Sequence, residues 1–381
     1  MAKIIKVGVV GLGRAGRFMH IPELQQFPEH FKVVAAADWA EERRSDLPES
    51  MKDLRIYASL EEMLTDPEVE MVTIATRSQY HTEQALQVLE AGKYAVVDKP
   101  ISVSVAEAEE LVAASRRHPG KLFLRFNRRF EPIFNQVRDI IAEGILGKVS
   151  MLKLYRHTGF VRRKDWQTLT EFSGGMLNNW GPHLIDQALR LLEAPVADIW
   201  CDLRHILAAG DAEDQIKLLL RAENGRVADI EISSCVALSA NWYEVWGDRG
   251  TLTVPADGAE VKLRYLDPAQ KLPPLAAVRG LFPLAYGNPE ETLRFVEESR
   301  PVARSKGHTF QRGKMVDPRT AKQSAGYTYD DTMWDHVYEA ITAGAEYPIR
   351  VEDGLAVTRI IDEARRKSGY LPHELDRDKE N

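Results

Sequence analysis

The chain has 381 residues, which corresponds to about two or three domains of ordinary size. Hydrophobic residues make up 44% and charged residues 28%, so the chain is not intrinsically disordered and has enough apolar side chains for a large core. The net charge of −7 argues against nucleic acid and membrane surfaces as partners, and the two cysteines, Cys201 and Cys235, are too few for a disulfide scaffold.

No apolar stretch reaches the length of about 18 residues that a membrane span needs. Glycine and arginine interrupt the apolar N-terminal segment before it could act as a signal peptide. The low cysteine content suits a reducing compartment. We therefore expect a cytoplasmic protein.

The first third of the chain alternates strand and helix patterns. Mostly apolar, β-branched runs predict strands over residues 4–10, 31–38, 70–76, 94–98 and 121–126. Helices are predicted over residues 40–44, 80–91 and 102–117. Alternating strands and helices form right-handed crossovers, so residues 1–126 are predicted to be a doubly wound α/β domain of the Rossmann type with a parallel sheet.

The pattern changes after residue 126. A helix is predicted over residues 132–143, and strands are predicted over residues 149–157, 197–207, 215–222, 226–235, 242–246 and 251–254. The turn Glu-Asn-Gly-Arg at 223–226 joins two of these strands directly, which favours antiparallel pairing. Residues 127–381 are thus predicted to form an α+β domain with a mostly antiparallel sheet.

Two segments near the C-terminus differ from the rest of this domain. Residues 267–326 are rich in Pro, Gly and basic residues with weak periodicity, and we interpret them as an insertion without assigned structure. Residues 330–343 and 351–368 have helical periodicity. Whether these final helices pack back on the first domain is left open.

A glycine-rich turn separates the first predicted strand from a helix. Its sequence is GLGRAG, with glycines at Gly11, Gly13 and Gly16 and with Arg14 and Ala15 between them. The glycines permit a tight turn, close approach of the backbone to a diphosphate, and close packing of the helix. We assign this turn to dinucleotide binding, although such turns also occur without a dinucleotide.

Asp38 ends the second predicted strand, where an acidic residue distinguishes between dinucleotides. A carboxylate there accepts hydrogen bonds from the adenosine ribose and repels a 2′-phosphate, so NAD is favoured over NADP. Arg43 and Arg44 follow in the sequence and would weaken that preference. The simpler interpretation is that both are solvated charges on a helix.

Asp98, Lys99 and Pro100 follow another predicted strand, at the sheet edge where ligands of doubly wound folds collect. Proline restricts the backbone of the residue before it, so the Lys99 ammonium can be held beside a substrate hydroxyl. A cis Lys99–Pro100 bond is a hypothesis here. The alternative is an ordinary surface lysine before a helix.

A third motif covers residues 174–186, GGMLNNWGPHLID. A helix after the two glycines would place Asn179 and His183, at i and i+4, on one face. His183 would then meet Lys99 across a cleft. The alternative is a structural histidine that Asp186 holds by a hydrogen bond.

Taken together and in this order, these motifs resemble the Gfo/Idh/MocA family of sugar and polyol oxidoreductases. The resemblance extends over nearly the whole chain and includes AGKYAVVDKP at 91–100 and WGDRGTL at 246–252. It implies a dinucleotide-binding N-terminal domain, a substrate cleft between the domains, and a homodimer or homotetramer that forms through the C-terminal sheet.

The resemblance also implies site residues. The catalytic lysine of the family falls on Lys99, with Asp98 in place of the usual Glu, and the catalytic histidine falls on His183. Asn179 replaces a frequent Asp; it can orient a hydroxyl but cannot take up a proton.

Other positions that the resemblance assigns to the cofactor lie in the segment after the strand predicted over 70–76. Thr76 and His81 are placed near the cofactor together with Asp98. Thr76-Arg77-Ser78 departs from the Thr-Pro-Asn of many members, so the resemblance does not define the contacts near the nicotinamide ribose. A structural role for His81 is an equal alternative.

The loop 158–173 is expected to border the substrate cleft. Its Trp166 is a candidate to stack on a sugar ring, with packing between the domains as the alternative. The basic residues Arg162, Arg163 and Lys164 are interpreted as solvated charges. No cysteine lies at metal-ligand spacing from another Cys or His, so no metal is expected.

The sequence therefore predicts an NAD(P)-dependent oxidoreductase, with NAD favoured, that transfers hydride between a secondary hydroxyl of a sugar, glycoside or cyclic polyol and the nicotinamide, in either direction. Two alternatives use the same scaffold. One is a glycosidase that oxidises its sugar transiently, eliminates the aglycone and restores NAD. The other is a non-catalytic dinucleotide-binding regulator, and the presence of both Lys99 and His183 argues against it.

Overall fold

The computed structural model describes residues 3–277, 279, 287–288, 291–302 and 332–370. Among these residues no helix combines the length and the apolar content needed to cross a bilayer. Most of the insertion predicted over 267–326 lies outside the described residues.

The first sheet is parallel and has six strands. These are β1 (Ile5–Val10), β2 (Phe31–Ala37), β3 (Arg55–Tyr57), β4 (Met71–Ile74), β5 (Tyr94–Val97) and β6 (Leu122–Leu124). Their order in the sheet is β3-β2-β1-β4-β5-β6, and all five neighbouring pairs are parallel. The order reverses between β1 and β4, which is the switch point where doubly wound folds bind their ligands.

Helices cover both faces of this sheet. They are α1 (Ile21–Leu24), α2 (Glu41–Ser45), α3 (Leu60–Leu64), α4 (His81–Glu90) and α5 (Val105–Arg117). A wide π-type turn, Gly16–His20, precedes α1 and continues into it. Neither β3 nor α3 has a counterpart in the sequence predictions, because β3 is a three-residue edge strand and α3 has little more than one turn.

The second sheet has eight strands. These are β7 (Val149–His157), β8 (Val196–Arg204), β9 (Gln215–Ala222), β10 (Val227–Ser233), β11 (Tyr243–Gly247), β12 (Gly250–Val254), β13 (Glu260–Leu266) and β14 (Phe295–Pro301). Their order is β14-β13-β12-β11-β7-β10-β9-β8. Only β7 and β10 pair in parallel; the six other neighbouring pairs are antiparallel. The predicted fold class is confirmed in both sheets.

Strands β13 and β14 were not part of the sequence predictions. β14 lies inside the segment 267–326 and pairs along its whole length with β13. Its side chains alternate between half-buried and exposed, so it carries no apolar run to mark it. It is the edge strand of the sheet, where such a composition is usual.

Helices α6 (Pro132–Ala142), α7 (Met176–Asn179), α8 (Gly181–Leu192), α9 (Met333–Ala343) and α10 (Val351–Ser368) complete the described chain. The inner face of the second sheet is buried, with Leu152 and Leu154 of β7 at 0% exposure, and α8 packs on it. The last two helices return to the first sheet. Trp334 and Tyr338 of α9 contact Phe31 of β2 edge-on, with ring centroids 5.8 and 5.9 Å away.

Candidate active site

The glycine turn after β1 is shaped by its lack of side chains. Gly11 has φ of +97°, and a Cβ there would stand 2.7 Å from the backbone of Ala75. A Cβ on Gly16 would stand 1.9 Å from the carbonyl oxygen of Gly11. Gly13 is different, because the nearest atom to a Cβ would be Arg43 Nη1 at 3.8 Å. Gly11 and Gly16 thus close the turn, while Gly13 leaves open space for a group that approaches the backbone.

Asp38 follows β2 and lies against this turn. Its carboxylate accepts hydrogen bonds from the backbone N–H of Leu12 at 2.7 Å and of Ala40 at 2.9 Å. Arg43 Nη1 lies 3.3 Å from the same carboxylate. Arg43 is exposed on α2, as the interpretation of a solvated helix charge predicts, but its side chain also turns back to Asp38. The structure shows no such contact between Arg44 and Asp38.

Lys99 is held from two directions. Its backbone N–H donates to Asp98 Oδ1 at 2.8 Å, and its ammonium donates to the backbone oxygen of Asn179 at 2.6 Å and to Asn179 Oδ1 at 2.9 Å. The Lys99–Pro100 bond is cis, as hypothesised from the sequence. The structure therefore gives Asn179 a contact that the sequence did not assign: it binds the ammonium of Lys99.

His183 is buried near this ammonium. Its Nδ1 has no hydrogen-bond partner among the described residues, and the Trp180 ring lies edge-on with its centroid 6.2 Å away. The alternative that Asp186 holds His183 is wrong, because the Asp186 carboxylate accepts hydrogen bonds from the guanidinium of Arg129. His183 Nδ1 is thus a buried polar atom whose hydrogen bond none of the described residues satisfies.

The pKa values of these two residues are both low for their type. Burial, opposed by Asp98 and assisted by the nearby Arg14 and Arg128, lowers the pKa of Lys99 to about 8. Burial and then the Lys99 charge hold the pKa of His183 well below its usual range. At neutral pH the site therefore contains a cationic lysine beside a neutral imidazole, which is able to accept a proton.

The helix predicted to carry both Asn179 and His183 is divided at Trp180. α7 ends at Asn179, and α8 begins at Gly181 with Pro182 in its first turn. The prediction of one continuous helix is wrong because Pro182 has no N–H to donate to the preceding turn. Asn179 and His183 still lie close to the same ammonium.

The glycine pair before α7 has a steric reason. Gly175 has φ of +98°, and a Cβ there would stand 2.1 Å from Glu213 Oε1. The same Glu213 oxygen accepts the backbone N–H of Leu177 at 3.1 Å, in the first turn of α7. Glu213 thereby fixes the start of the short helix that ends at Asn179.

Thr76 and His81 connect the loops around the sheet edge. His81 is buried, with Nδ1 2.7 Å from the carbonyl oxygen of Pro100 and Nε2 3.2 Å from that of Thr76. The Thr76 hydroxyl donates to Gln84 Oε1 at 2.6 Å. His81 therefore joins the loop after β4 to the loop after β5, and a contact from either residue to a cofactor stays a prediction.

Trp166 lies where the loop 158–173 meets the first sheet. The guanidinium of Arg77 stacks over the ring of Phe172 at 4.1 Å and lies 5.8 Å from the Trp166 ring. Arg163 pairs with Asp165, so it is not a solvated charge as predicted. The loop is attached to the segment after β4 by a cation–π contact, and stacking of Trp166 on a sugar stays a prediction.

Several buried or partly buried titratable residues near the site have no local sequence signal. They are the buried His20, Arg125 and Arg129 and the partly buried Glu23. Arg125 alone has a partial signal, because it stands in an apolar run that is predicted as a strand. An arginine buried in such a run requires an acidic partner. Its partners, Glu23 and Asp98, are far away in the sequence, so only the fold brings them together.

Within the part of the chain that the structure describes, no group of three or more His, Cys, Asp or Glu residues could hold a metal ion. Cys201 donates to the carbonyl oxygen of Ala364 at 3.1 Å, and Cys235 is also a free thiol.

Two family models match the chain in the order in which its two sheets occur. Residues 5–126 match the Gfo/Idh/MocA model described as an oxidoreductase family with an NAD-binding Rossmann fold, and residues 134–253 match the Gfo/Idh/MocA C-terminal domain. This chain belongs to the Gfo/Idh/MocA oxidoreductase family. The resemblance inferred from the glycine turn, the lysine motif and the histidine block is thereby confirmed.

Individual relatives are similar at low identity over most of their length. YrbE of Bacillus subtilis, an uncharacterized oxidoreductase, is 27% identical over 340 residues, which cover 86% of this chain and 96% of that protein. The scyllo-inositol 2-dehydrogenase (NADP(+)) IolW of the same organism is 26% identical and covers 96% of this chain and 94% of its own. An NAD-binding protein from Listeria innocua has the same fold, with a TM-score of 0.75, 22% identity, and coverage of 96% of this chain and 95% of its own.

Proposed function

We propose that this protein is an NAD-dependent dehydrogenase that oxidises a secondary hydroxyl of a sugar, a glycoside or a cyclic polyol. The observation that carries the proposal is the pairing of a fixed ammonium, Lys99, with a buried imidazole, His183, whose Nδ1 has no partner among the described residues. The name of the relative IolW, an inositol dehydrogenase, supports a polyol as the substrate class.

The residues of the glycine turn fit a dinucleotide. The open position at Gly13 allows a diphosphate to approach the backbone, and Arg14 offers a cation beside it. A carboxylate has about four acceptor positions, and the two backbone N–H groups and Arg43 Nη1 use three of those of Asp38. The remaining position of Asp38 suits a ribose hydroxyl.

Bound NAD would supply the hydride acceptor, at C4 of the nicotinamide. His183 takes the proton of the substrate hydroxyl, since it is neutral at physiological pH. Lys99 donates a hydrogen bond to the same oxygen and stabilises the negative charge that develops as the proton leaves. Asn179 keeps the ammonium in place through its two oxygen atoms.

A screen of sugars, glycosides and inositols with NAD and NADP, followed by the nicotinamide absorbance, tests the function. We expect one NADH for each hydroxyl oxidised. Cleavage of a glycoside without accumulation of NADH would assign the protein to the transient-oxidation glycosidases. Cofactor binding without turnover of any compound would favour the regulator.

The same screen tests the choice of cofactor. Asp38 repels a 2′-phosphate, so kcat/KM for NAD should exceed that for NADP by at least about tenfold, and Asp38→Ala should reduce this preference. Arg43 opposes the effect of Asp38 in part, because its guanidinium lies on the carboxylate. A wild-type preference for NADP would show that Arg43 dominates and would overturn the assignment of NAD.

We also propose that a second copy of the chain covers the outer face of the second sheet. Trp200 and Trp246 are 55% and 41% exposed on its strands, and Leu219 pairs with Trp200 across β8 and β9. Light scattering should give a dimer or tetramer. Leu219→Glu should reduce the mass, and an unchanged monomer mass in the wild type would contradict the proposal.

A further inference from the structure

A chain of charged and polar side chains connects Lys99 with helix α9. Asp98 Oδ1, which accepts the Lys99 backbone N–H, lies 3.4 Å from Arg125 Nη1. Arg125 Nη2 donates to both oxygens of Glu23 at 2.7 Å, and the indole N–H of Trp334 donates to Glu23 Oε2 at 3.1 Å. We call Asp98, Arg125, Glu23 and Trp334 the Asp98 network.

The network is buried at its centre. The side chain of Arg125 is 1% exposed and that of Asp98 10%, while Glu23 is partly buried at 21%. His20, which is fully buried, places Nε2 3.3 Å from the other Asp98 oxygen. Both oxygens of Asp98 are therefore occupied by partners, Arg125 directly after β6 and His20 in the turn before α1.

The charges in the network support one another. Burial would raise the pKa of Asp98, but Arg125 and His20 outweigh burial and hold that pKa well below its usual range. Burial would also lower the pKa of Arg125, but Glu23 and Asp98 reverse the effect and raise it. Both groups thus stay charged close to the lysine at any pH at which the protein is studied.

Stability alone is a poor explanation for such a network. The cost of removing two charges from water is often as large as their attraction, and apolar residues of similar volume are then equally stable. A buried arginine next to a lysine of low pKa also adds repulsion, which a purely structural network would avoid. The position of the network directly behind Lys99 points to a role in setting the charge of that lysine.

We propose that Arg125 and Glu23 are positioning residues that, through Asp98, fix the backbone of Lys99 and set the electrostatic field at its ammonium. Arg125 contributes positive potential and Glu23 cancels part of it, so the two have opposite effects on the same group. Only one part of this inference rests on the proposed function, namely that Lys99 is catalytic. The test of the inference does not require turnover.

Other charged or titratable groups face the ammonium from each neighbouring element and stay unchanged in the test. They are Asp98 beside it, Arg14 of the glycine turn, Arg128 in the turn after β6, and His183 of α8. Asn179 of α7 provides the neutral oxygen contacts. The network variants below leave all five of these residues in place.

The experiment measures how fast Lys99 in the ligand-free, full-length protein reacts with cyanate at a series of pH values, by mass spectrometry of the carbamylated peptide. Only a neutral amine reacts, so the midpoint reports the pKa of Lys99, about 8 in the wild type. The exposed Lys148 serves as the internal reference. Glu23→Gln and Arg125→Gln are compared with Arg125→Lys, which keeps the charge, and with Trp334→Phe, which keeps every charge and removes one hydrogen bond.

We expect the substitutions of Glu23 and of Arg125 to shift the midpoint of Lys99 carbamylation in opposite directions. Glu23→Gln leaves the Arg125 charge less neutralised and should lower the midpoint, and Arg125→Gln should raise it, each by up to about one pH unit. Arg125→Lys and Trp334→Phe should stay near the wild-type midpoint. A purely structural network predicts no such opposition of sign.

Shifts in the same direction, or an unchanged midpoint in Glu23→Gln, would overturn the proposal. Glu23→Gln preserves shape and so decides the question even where Arg125→Gln fails to fold. Because the labelling needs neither cofactor nor substrate, an inactive protein in the substrate screen leaves this result intact. Conversely, turnover in the screen together with unshifted midpoints would reject the proposed role of the Asp98 network and leave the proposed function intact.

Discussion

The glycine turn and the Lys99 cluster meet at the same edge of the first sheet, yet they are constructed in opposite ways. In the turn, the shape comes from missing side chains: Gly11 and Gly16 have no room for a Cβ. Around Lys99, the properties come from side chains brought from several parts of the chain, including Asp98, Arg125 and Asn179. The turn thus depends on local steric fit, and the cluster depends on long-range electrostatics.

The largest effect is expected in the cluster. Lys99→Met removes the ammonium that stabilises the developing alkoxide, so turnover should fall by about a hundredfold or more while NADH binding, measured by fluorescence, stays close to the wild type. Lys148→Met, at an exposed lysine outside the site, is the control. Wild-type turnover in Lys99→Met would remove this lysine from the mechanism.

In the glycine turn, two glycine-to-alanine substitutions, each of which adds one methyl group, should separate an effect on NADH binding from an effect on the stability of the fold. Gly13→Ala enters open space and should keep the melting temperature but weaken NADH binding by at least about tenfold, or about 1.4 kcal/mol. Gly16→Ala overlaps the Gly11 carbonyl oxygen and should destabilise the fold by roughly 1–3 kcal/mol. Calorimetry and titration measure both; an equal loss of stability in the two variants would contradict the division of roles.

The smallest effect concerns a single contact within the Lys99 cluster. Asn179→Ala removes one acceptor from the Lys99 ammonium but leaves the backbone oxygen, so kcat should fall by only about fivefold. Asn179→Asp keeps the acceptor and adds a negative charge, which raises the pKa of Lys99.

The pH profile distinguishes these variants. The wild-type ammonium is lost as the pH rises through about 8, so kcat/KM for oxidation should decline above that pH. In Asn179→Asp this decline should move to higher pH. A decline at the same pH in both proteins would show that Lys99 is not the group that titrates.

The turn could be predicted from the sequence because each of its constraints acts within a few residues. β1, the three glycines and the acidic residue after β2 were all recognisable in chain order. The same holds for β7 and β9, whose apolar patterns end at their true boundaries, 149–157 and 215–222. β14 was missed, since its side chains face solvent or half-buried surface and give no apolar run.

The cluster could be predicted only in the residues of its two sequence motifs. Lys99 and His183, with their neighbours Asp98 and Asn179, stand in these two motifs, but Arg125 and Glu23 are single charges, separated by 102 positions, that meet only in the fold. The role of Asp186 was misjudged for the same reason, because its partner Arg129 lies in a different element. Long-range charge pairing requires the tertiary structure.

The bond between Lys99 and Asn179 crosses from the first sheet to a helix of the second. A hydrogen bond of 2.6 Å is lost once the two atoms separate beyond about 3.5 Å, so the ammonium is restrained only while the loop after β5 and the end of α7 stay in contact. The position of the lysine is therefore set jointly by residues on either side of this contact and not by its own loop alone.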